Sequence, residues 1–291
     1  MQAFKDAVRA AAEAALADLV GFAARDRFDG LPAAKNPFTL FPEAKTAIVI
    51  GRRVTRGSLR GVEEGVNFGD YGSFGKSWLA DEFLTETLYT TAQEIERAGF
   101  DAMPLTPGPH PGADGAEPCD PDFGYAAVAA GLGELGLSGE VLTPRFGPRQ
   151  RFAILLTDAE CESDPLCEKS VCTRCGRCAA ICPLHAMGPE TTDVCVAGKT
   201  MPVYERRARA CASCPNGAVS LPYLQTVMRG SVREETPGVD RLAAVCGRTC
   251  VAALEDADVL ENKFDLKFRQ REVWRKDGNG RILPPVPADK A

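Results

Sequence analysis

Apolar residues recur at three-to-four spacing over residues 3–20 (Phe4, Val8, Ala11, Ala15, Leu19), a period that predicts a helix. Residues 20–23 and 46–51 are compact apolar runs of strand length, with a Pro- and Asn-containing loop between them at 31–42. Residues 57–75 hold six glycines and no sustained period, so a flexible loop is expected there. Its Asn67, Tyr71 and Phe74 either line a pocket or anchor a surface loop. Over 77–99 the stripe Leu79, Phe83, Leu84, Leu88, Ala92 and Ile95 predicts a helix stopped by Gly99, and a strand follows at 101–105. The Pro/Gly loop at 106–118 is long enough to suspect function, although His110 within it reads as an exposed turn histidine. An Ala-rich helix at 123–131 can pack closely on a neighbouring helix or beneath a flat ligand, and strands are expected at 141–143 and 151–157. Helices and strands alternate to about residue 158, which predicts an α/β domain over 1–160.

Two turns carry candidate chemistry. Gly131-Leu-Gly133-Glu-Leu-Gly136 is formally G-x-G-x-x-G, but it ends a helix instead of joining a strand to one. Dinucleotide binding is therefore rejected. These glycines bring backbone close to something planar or fill a tight corner. The turn around Gly147 presents Arg145 and Arg149, a pair suited to an anionic group.

The pattern changes past residue 158. Of 12 cysteines, all but Cys119 fall from Cys161 to Cys250. Cys172, Cys175, Cys178 and Cys182, followed by Pro183, read C-x2-C-x2-C-x3-C-P, the bacterial ferredoxin spacing for [4Fe–4S] ligation. Three thiolates two residues apart can reach three irons of one cubane. The fourth points away and serves a second cluster, and Pro183 ends the turn. A zinc site would use two separated pairs, and a disulfide framework suits a short exported chain. With only His110 and His185, a His-rich metal site is excluded by count. By the exchange of ligands seen in two-cluster ferredoxins, Cys250 completes the first cluster, while Cys182, Cys211, Cys214 and Cys246 hold the second. Cys195 is a reserve and Cys167 could displace an assigned ligand; Cys119 and Cys161 read as ordinary buried thiols. A two-cluster domain is thus expected over 161–262, and a tail over 263–291 that straps back over the body or reaches a second subunit, a homodimer being one outcome.

Composition narrows the compartment and partners. The 291 residues are 45% hydrophobic and 25% charged, enough for one large domain or two smaller ones. A net charge of −6 argues against nucleic acid as the main partner. No apolar run is long enough to cross a membrane. The charged, Ala-rich N-terminus lacks the layout of a signal peptide, and Arg52-Arg53 lies too deep for an export signal, so a reducing cytoplasmic location is expected.

Taken together, Ala126 through Gly136, Leu142 through Arg149, the strand ending Thr157-Asp158 and the cysteine run resemble the epoxyqueuosine reductase and reductive dehalogenase superfamily. The resemblance spans roughly residues 15–255. It implies a nitroreductase-like α/β fold cradling a base-off corrinoid, followed by a two-[4Fe–4S] ferredoxin-like domain that reduces the cobalt. On that reading Gly131, Gly133, Gly136, Arg145, Gly147 and Arg149 attend the corrinoid, and Asp122, Tyr125 and Tyr71 are the proton-donor candidates. It further implies an oxidoreductase acting on a small organic substrate, supplied by a low-potential ferredoxin or flavodoxin. The sequence departs from the family pattern at Glu134, which stands where epoxyqueuosine reductases carry a Trp, and at Ala243, where the first cysteine of the second motif belongs. The chain also stops short of the helical-repeat tail with which many of those enzymes meet tRNA, so a tRNA substrate is disfavoured. An electron-transfer or corrinoid-reactivating protein without its own substrate is the competing reading.

Overall fold

The computed structural model describes residues 1–111, 117–217 and 239–290. Part of the loop expected at 106–118 and residues 218–238 of the expected cluster domain lie outside them. The chain runs through α1 (Gln2–Ala14), β1 (Leu19–Ala24), β2 (Thr46–Arg53), α2 (Arg56–Glu63), the short α3 (Gly69–Tyr71), α4 (Leu84–Arg97) and β3 (Ala102–Leu105). Next come α5 (Phe123–Ala129), β4 (Glu134–Leu135), β5 (Val141–Leu142) and β6 (Gln150–Thr157). The cysteine-rich part holds α6 (Arg177–Ala180), β7 (Met187–Val196), β8 (Lys199–Arg206), α7 (Ala208–Ala212) and α8 (Val245–Asp256).

The fold is a mixed α/β one, built on a four-stranded sheet in the order β1-β2-β6-β3 with every neighbouring pair antiparallel. Alternation along the strands sends side chains to two buried faces. Ile48, Ile50, Ala153 and Leu155 meet Val8 and Ala12 of α1 and Leu84 and Leu88 of α4. Ala47, Val49, Ile154 and Leu156 face the alanines of α5 on the other side. Burial on both faces explains why these strands read as nearly unbroken apolar runs.

The first helix stops short of the expected 3–20. Leu16 takes φ +68°, breaking the helix so that the chain can turn into β1. The glycine-rich stretch 57–75 is not a flexible loop. It forms α2 and α3 and then π-helical turns at Gly72–Lys76 and Leu79–Phe83 that run into α4. Leu59 and Val62, three apart, bury the α2 face against Tyr71 and Leu79. Gly75 is there for closeness: a Cβ on it would lie 2.6 Å from Cε2 of Tyr71.

The cysteine-rich part packs onto the sheet domain directly. Hairpin β7–β8 turns through Ala197 and Gly198, both at positive φ, and its Val196 and Met201 join the α5 core. Arg56 of α2 grips Glu255 of α8 with two parallel bonds, Nε to Oε1 at 2.8 Å and Nη2 to Oε2 at 2.7 Å. The segment after α8 straps back over the body, the first of the two arrangements expected for the tail. Phe268 is buried, Trp274 Nε1 donates to the Val62 carbonyl at 2.9 Å, and Arg269 meets Glu63 at 2.6 Å. Glu63 also holds the fully buried Arg248 of α8 at 2.5 Å.

Candidate functional site

The run from Cys172 to Cys182 is coiled by two residues in the left-handed region, Arg174 at φ +54° and Gly176 at φ +72°, before α6 begins. This winding directs Cys172, Cys175 and Cys178 to one cavity, whose fourth cysteine is Cys250 of α8. Cys182 leaves the end of α6 toward a second cavity and meets Cys211, Cys214 and Cys246 there. Cys246 and Cys250 stand one helical turn apart on α8, so a single helix gives one thiol to each cavity.

The electrostatics fall into the same two sets. Burial pushes the Cys178 thiol up to about 11, with Cys175 and Cys172 adding to the rise. Cys250 is driven well above the ordinary thiol range by burial and then by Cys178, Cys172 and Cys175. Cys246 is pushed up to about 12 by burial; Arg241 opposes the rise, and Cys182, Glu140 and Cys214 add to it. Thiols that raise one another in this way become thiolates together only around a cationic centre. Among the described residues no three His, Cys, Asp or Glu side chains form a group suited to a single metal ion. The thiols line two cavities instead, four cysteines to each.

Neighbouring groups hold these thiols in place. Glu134, buried on β4, accepts from the backbone N–H of Val171 at 2.7 Å and of Cys172 at 2.9 Å. Its other oxygen lies 3.5 Å from Lys199 Nζ, which donates to the Cys167 carbonyl at 2.5 Å. The Ala186 N–H lies 3.4 Å from Cys182 Sγ, and Asn216 Nδ2 lies 3.7 Å from Cys214 Sγ. Tyr204 stands beside the first set, its pKa raised by burial and by Cys178, Cys175 and Cys172. Sequence reasoning noticed Glu134 only as a departure and missed Lys199, Tyr204 and Asn216. Glu134 reaches its partners across 37 residues or more, and no local pattern records that distance.

The three proton-donor candidates are not brought together. Tyr71 is fully buried, donates to Asp240 Oδ2 at 2.9 Å and accepts from Arg151 at 3.1 Å. Burial and the Asp240 carboxylate hold its pKa well above the usual phenol range, so it keeps its proton as a structural bond. Asp122 caps α5 by accepting from the Tyr125 N–H at 2.8 Å, and the Tyr125 hydroxyl donates to the Arg27 carbonyl at 2.9 Å.

The residues expected to attend a corrinoid are also engaged within the protein. Cβ atoms on Gly131 and Gly133 would lie 2.1 Å from the Pro165 carbonyl and 2.3 Å from that of Leu142, and one on Gly136 would strike the Leu142 side chain at 2.6 Å. These glycines fill a tight corner that seats the cysteine run. A Cβ on Gly147 would lie 3.0 Å from Leu254 of α8. Arg149 is 1% exposed and bonds the Val54 carbonyl and Asn262, and Arg145 bonds the Asp18 carbonyl at 3.1 Å. The expected pair of arginines is split: Arg149 is buried, while Arg145 stays exposed beside the entry to β1. Cys119 and Cys161 are buried, and Cys195 and Cys167 line neither cavity. His110 pairs with Cys119 through backbone bonds of 2.7 and 3.0 Å.

No protein-family model matches the chain. In sequence it is 42% identical over 81 residues to tetrachloroethene reductive dehalogenases of Desulfitobacterium hafniense and Dehalobacter restrictus. That match covers 26% of this chain and 15% of each relative, so the chain spans a small part of their length. In fold it is similar to a reductive dehalogenase described for B12-dependent dehalogenation, with a TM-score of 0.54 and 21% identity over 97% of this chain and 42% of that one. It is also similar to an epoxyqueuosine reductase from Streptococcus thermophilus, with a TM-score of 0.50 and 16% identity over 90% of this chain and 68% of that one. The resemblance read from the residues is thus found in the fold as well.

Proposed function

We propose that the chain is an oxidoreductase that passes low-potential electrons through two [4Fe–4S] clusters to a bound corrinoid, for reductive cleavage or reduction of a small organic substrate. The observation that carries the electron-transfer part is the sorting of eight thiols into two cavities joined by α8. Cys172, Cys175, Cys178 and Cys250 would hold one cluster, and Cys182, Cys211, Cys214 and Cys246 the other. Bound there, the clusters supply one-electron chemistry. The chain's own residues fix the geometry: Glu134 holds the start of the run, and α8 spaces the two cavities. A low-potential ferredoxin or flavodoxin is the fitting donor.

The corrinoid acceptor is supported by likeness to the dehalogenases, and no step is assigned through it because most of the residues expected to cradle it, Arg145 excepted, pack against other parts of the chain. That packing favours a second reading, an electron-transfer or corrinoid-reactivating protein that reduces a partner's cobalt. Anaerobic reconstitution followed by iron counting and desalting after addition of hydroxocobalamin decides between them. About eight irons with retained corrinoid supports the first reading, and about eight irons with none retained supports the second. About four irons would remove the second cluster from both.

A further inference from the structure

The two cavities differ in the charges around them. Among the described residues the first has no Asp, Glu, Lys or Arg in its wall, whereas Arg206 and Arg241 line the second. Arg241 also reaches between them: one guanidinium nitrogen donates to the carbonyl of Ser138, which lines the first cavity, and another pairs with Glu140 at 2.6 Å.

We propose that the Arg241–Glu140 pair polarises the relay, its guanidinium lifting the reduction potential of the second cluster relative to the first. This rests on the two-cluster reading above. Taking up one electron adds one negative charge to a cluster, with no proton or bond change at the cysteines. A fixed cation close by stabilises the reduced form, and the effect is stronger where water is scarce. A guanidinium does not lose its charge in proteins, so the bias persists across pH. Cys175, the one exposed thiol of the eight, brings solvent to the first cluster and raises its potential in turn. Substitutions at 140 and 241 leave Cys175 untouched and isolate the contribution of the pair.

The test is an EPR-monitored redox titration of the reconstituted full chain with dithionite and mediators. The midpoint belonging to the second cluster is identified as the one lost in Cys214→Ala. Arg241→Gln is expected to move that midpoint to a more negative value and the other less, Glu140→Gln to move it the opposite way, and Arg241→Lys to restore it. If Arg241→Gln and Glu140→Gln shift it in the same direction, or neither shifts it, the charge role is overturned and the pair is a structural clasp. If Arg241→Gln no longer holds iron, Glu140→Gln alone decides: an upward shift supports the proposal and none overturns it. A wild-type chain with about four irons and a single signal would instead defeat the two-cluster reading on which the proposal stands.

Discussion

Glu134 fastens the start of the cysteine run by accepting two backbone N–H bonds from within the protein. Hydrogen bonds to a charged acceptor contribute about 1.5–3 kcal/mol each, and cutting both leaves buried donors without partners. Glu134→Ala should therefore lower unfolding free energy by about 2–4 kcal/mol in a denaturant titration and release iron faster to a chelator. Glu134→Gln keeps the acceptor and should retain most of both. Asp164 gives a pH-dependent counterpart. Burial alone would raise its pKa, but bonds from Lys5 and Arg9 at 2.8 Å and from the Phe22 N–H outweigh that and lower it. Its folded-state pKa lies below the unfolded value, so its contribution is fully present above about pH 4 and lost as pH falls through the folded value. In Asp164→Asn the fall of melting temperature below pH 4 should be shallower than in the wild type, and an unchanged slope would count against this assignment.

At the scale of elements, α8 makes a sharper prediction. Cys246 and Cys250 serve different cavities, so Cys250→Ala should lose the first cluster and Cys246→Ala the second, each dropping the iron count from about eight to about four. Loss of the same spectroscopic signal in both variants would contradict the assignment. The end of α5 is equally testable. Gly131 combines φ +77° with a backbone carbonyl where a Cβ would be, so Gly131→Ala should cost more than about 1 kcal/mol in thermal unfolding. The elements that could be read in the chain were those with a clear period. Strands at 46–53 and 150–157, helix α4 and the cysteine run all advertise themselves locally. The division of ligands followed from spacing plus the rule that paired clusters exchange a cysteine. What escaped was set by contacts between distant residues. The glycines at 57–75 looked like slack because their packing partner, the ring of Tyr71, is visible only in the fold. Hairpin β7–β8 hid behind its cysteine and charges, although Ala197-Gly198 supplied a turn signal. Arg149 looked available because nothing local reveals that Val54 and Asn262 already bind it.

For the whole molecule, the strap after α8 joins the sheet domain to the cysteine helix. Phe268, Arg269 and Trp274 bind α2 and α8 together around Glu63, a carboxylate shared by two buried guanidiniums. Removing Arg269 leaves Glu63 paired with Arg248 but cuts a buried charge-assisted bond, which costs about 1.5–3 kcal/mol. Arg269→Met should thus destabilise the chain by about that much and speed bleaching of the visible absorbance in air, even though it touches no cysteine. Equal bleaching rates in variant and wild type would show that the strap does not guard the clusters. Among the described residues no helix is long and apolar enough to cross a membrane.

If the two cavities hold clusters as proposed, the division of thiols between them also sets an order of events during synthesis. Neither cavity has its four thiols until α8, with Cys246 and Cys250, has left the ribosome, since each draws one cysteine from that helix and the others from 172–182 and 211–214. A nascent chain holding only the ferredoxin run offers three thiols for a cubane and a fourth that belongs elsewhere. Iron delivered at that stage would be held by an incomplete set, which α8 completes only once it has folded onto the sheet domain.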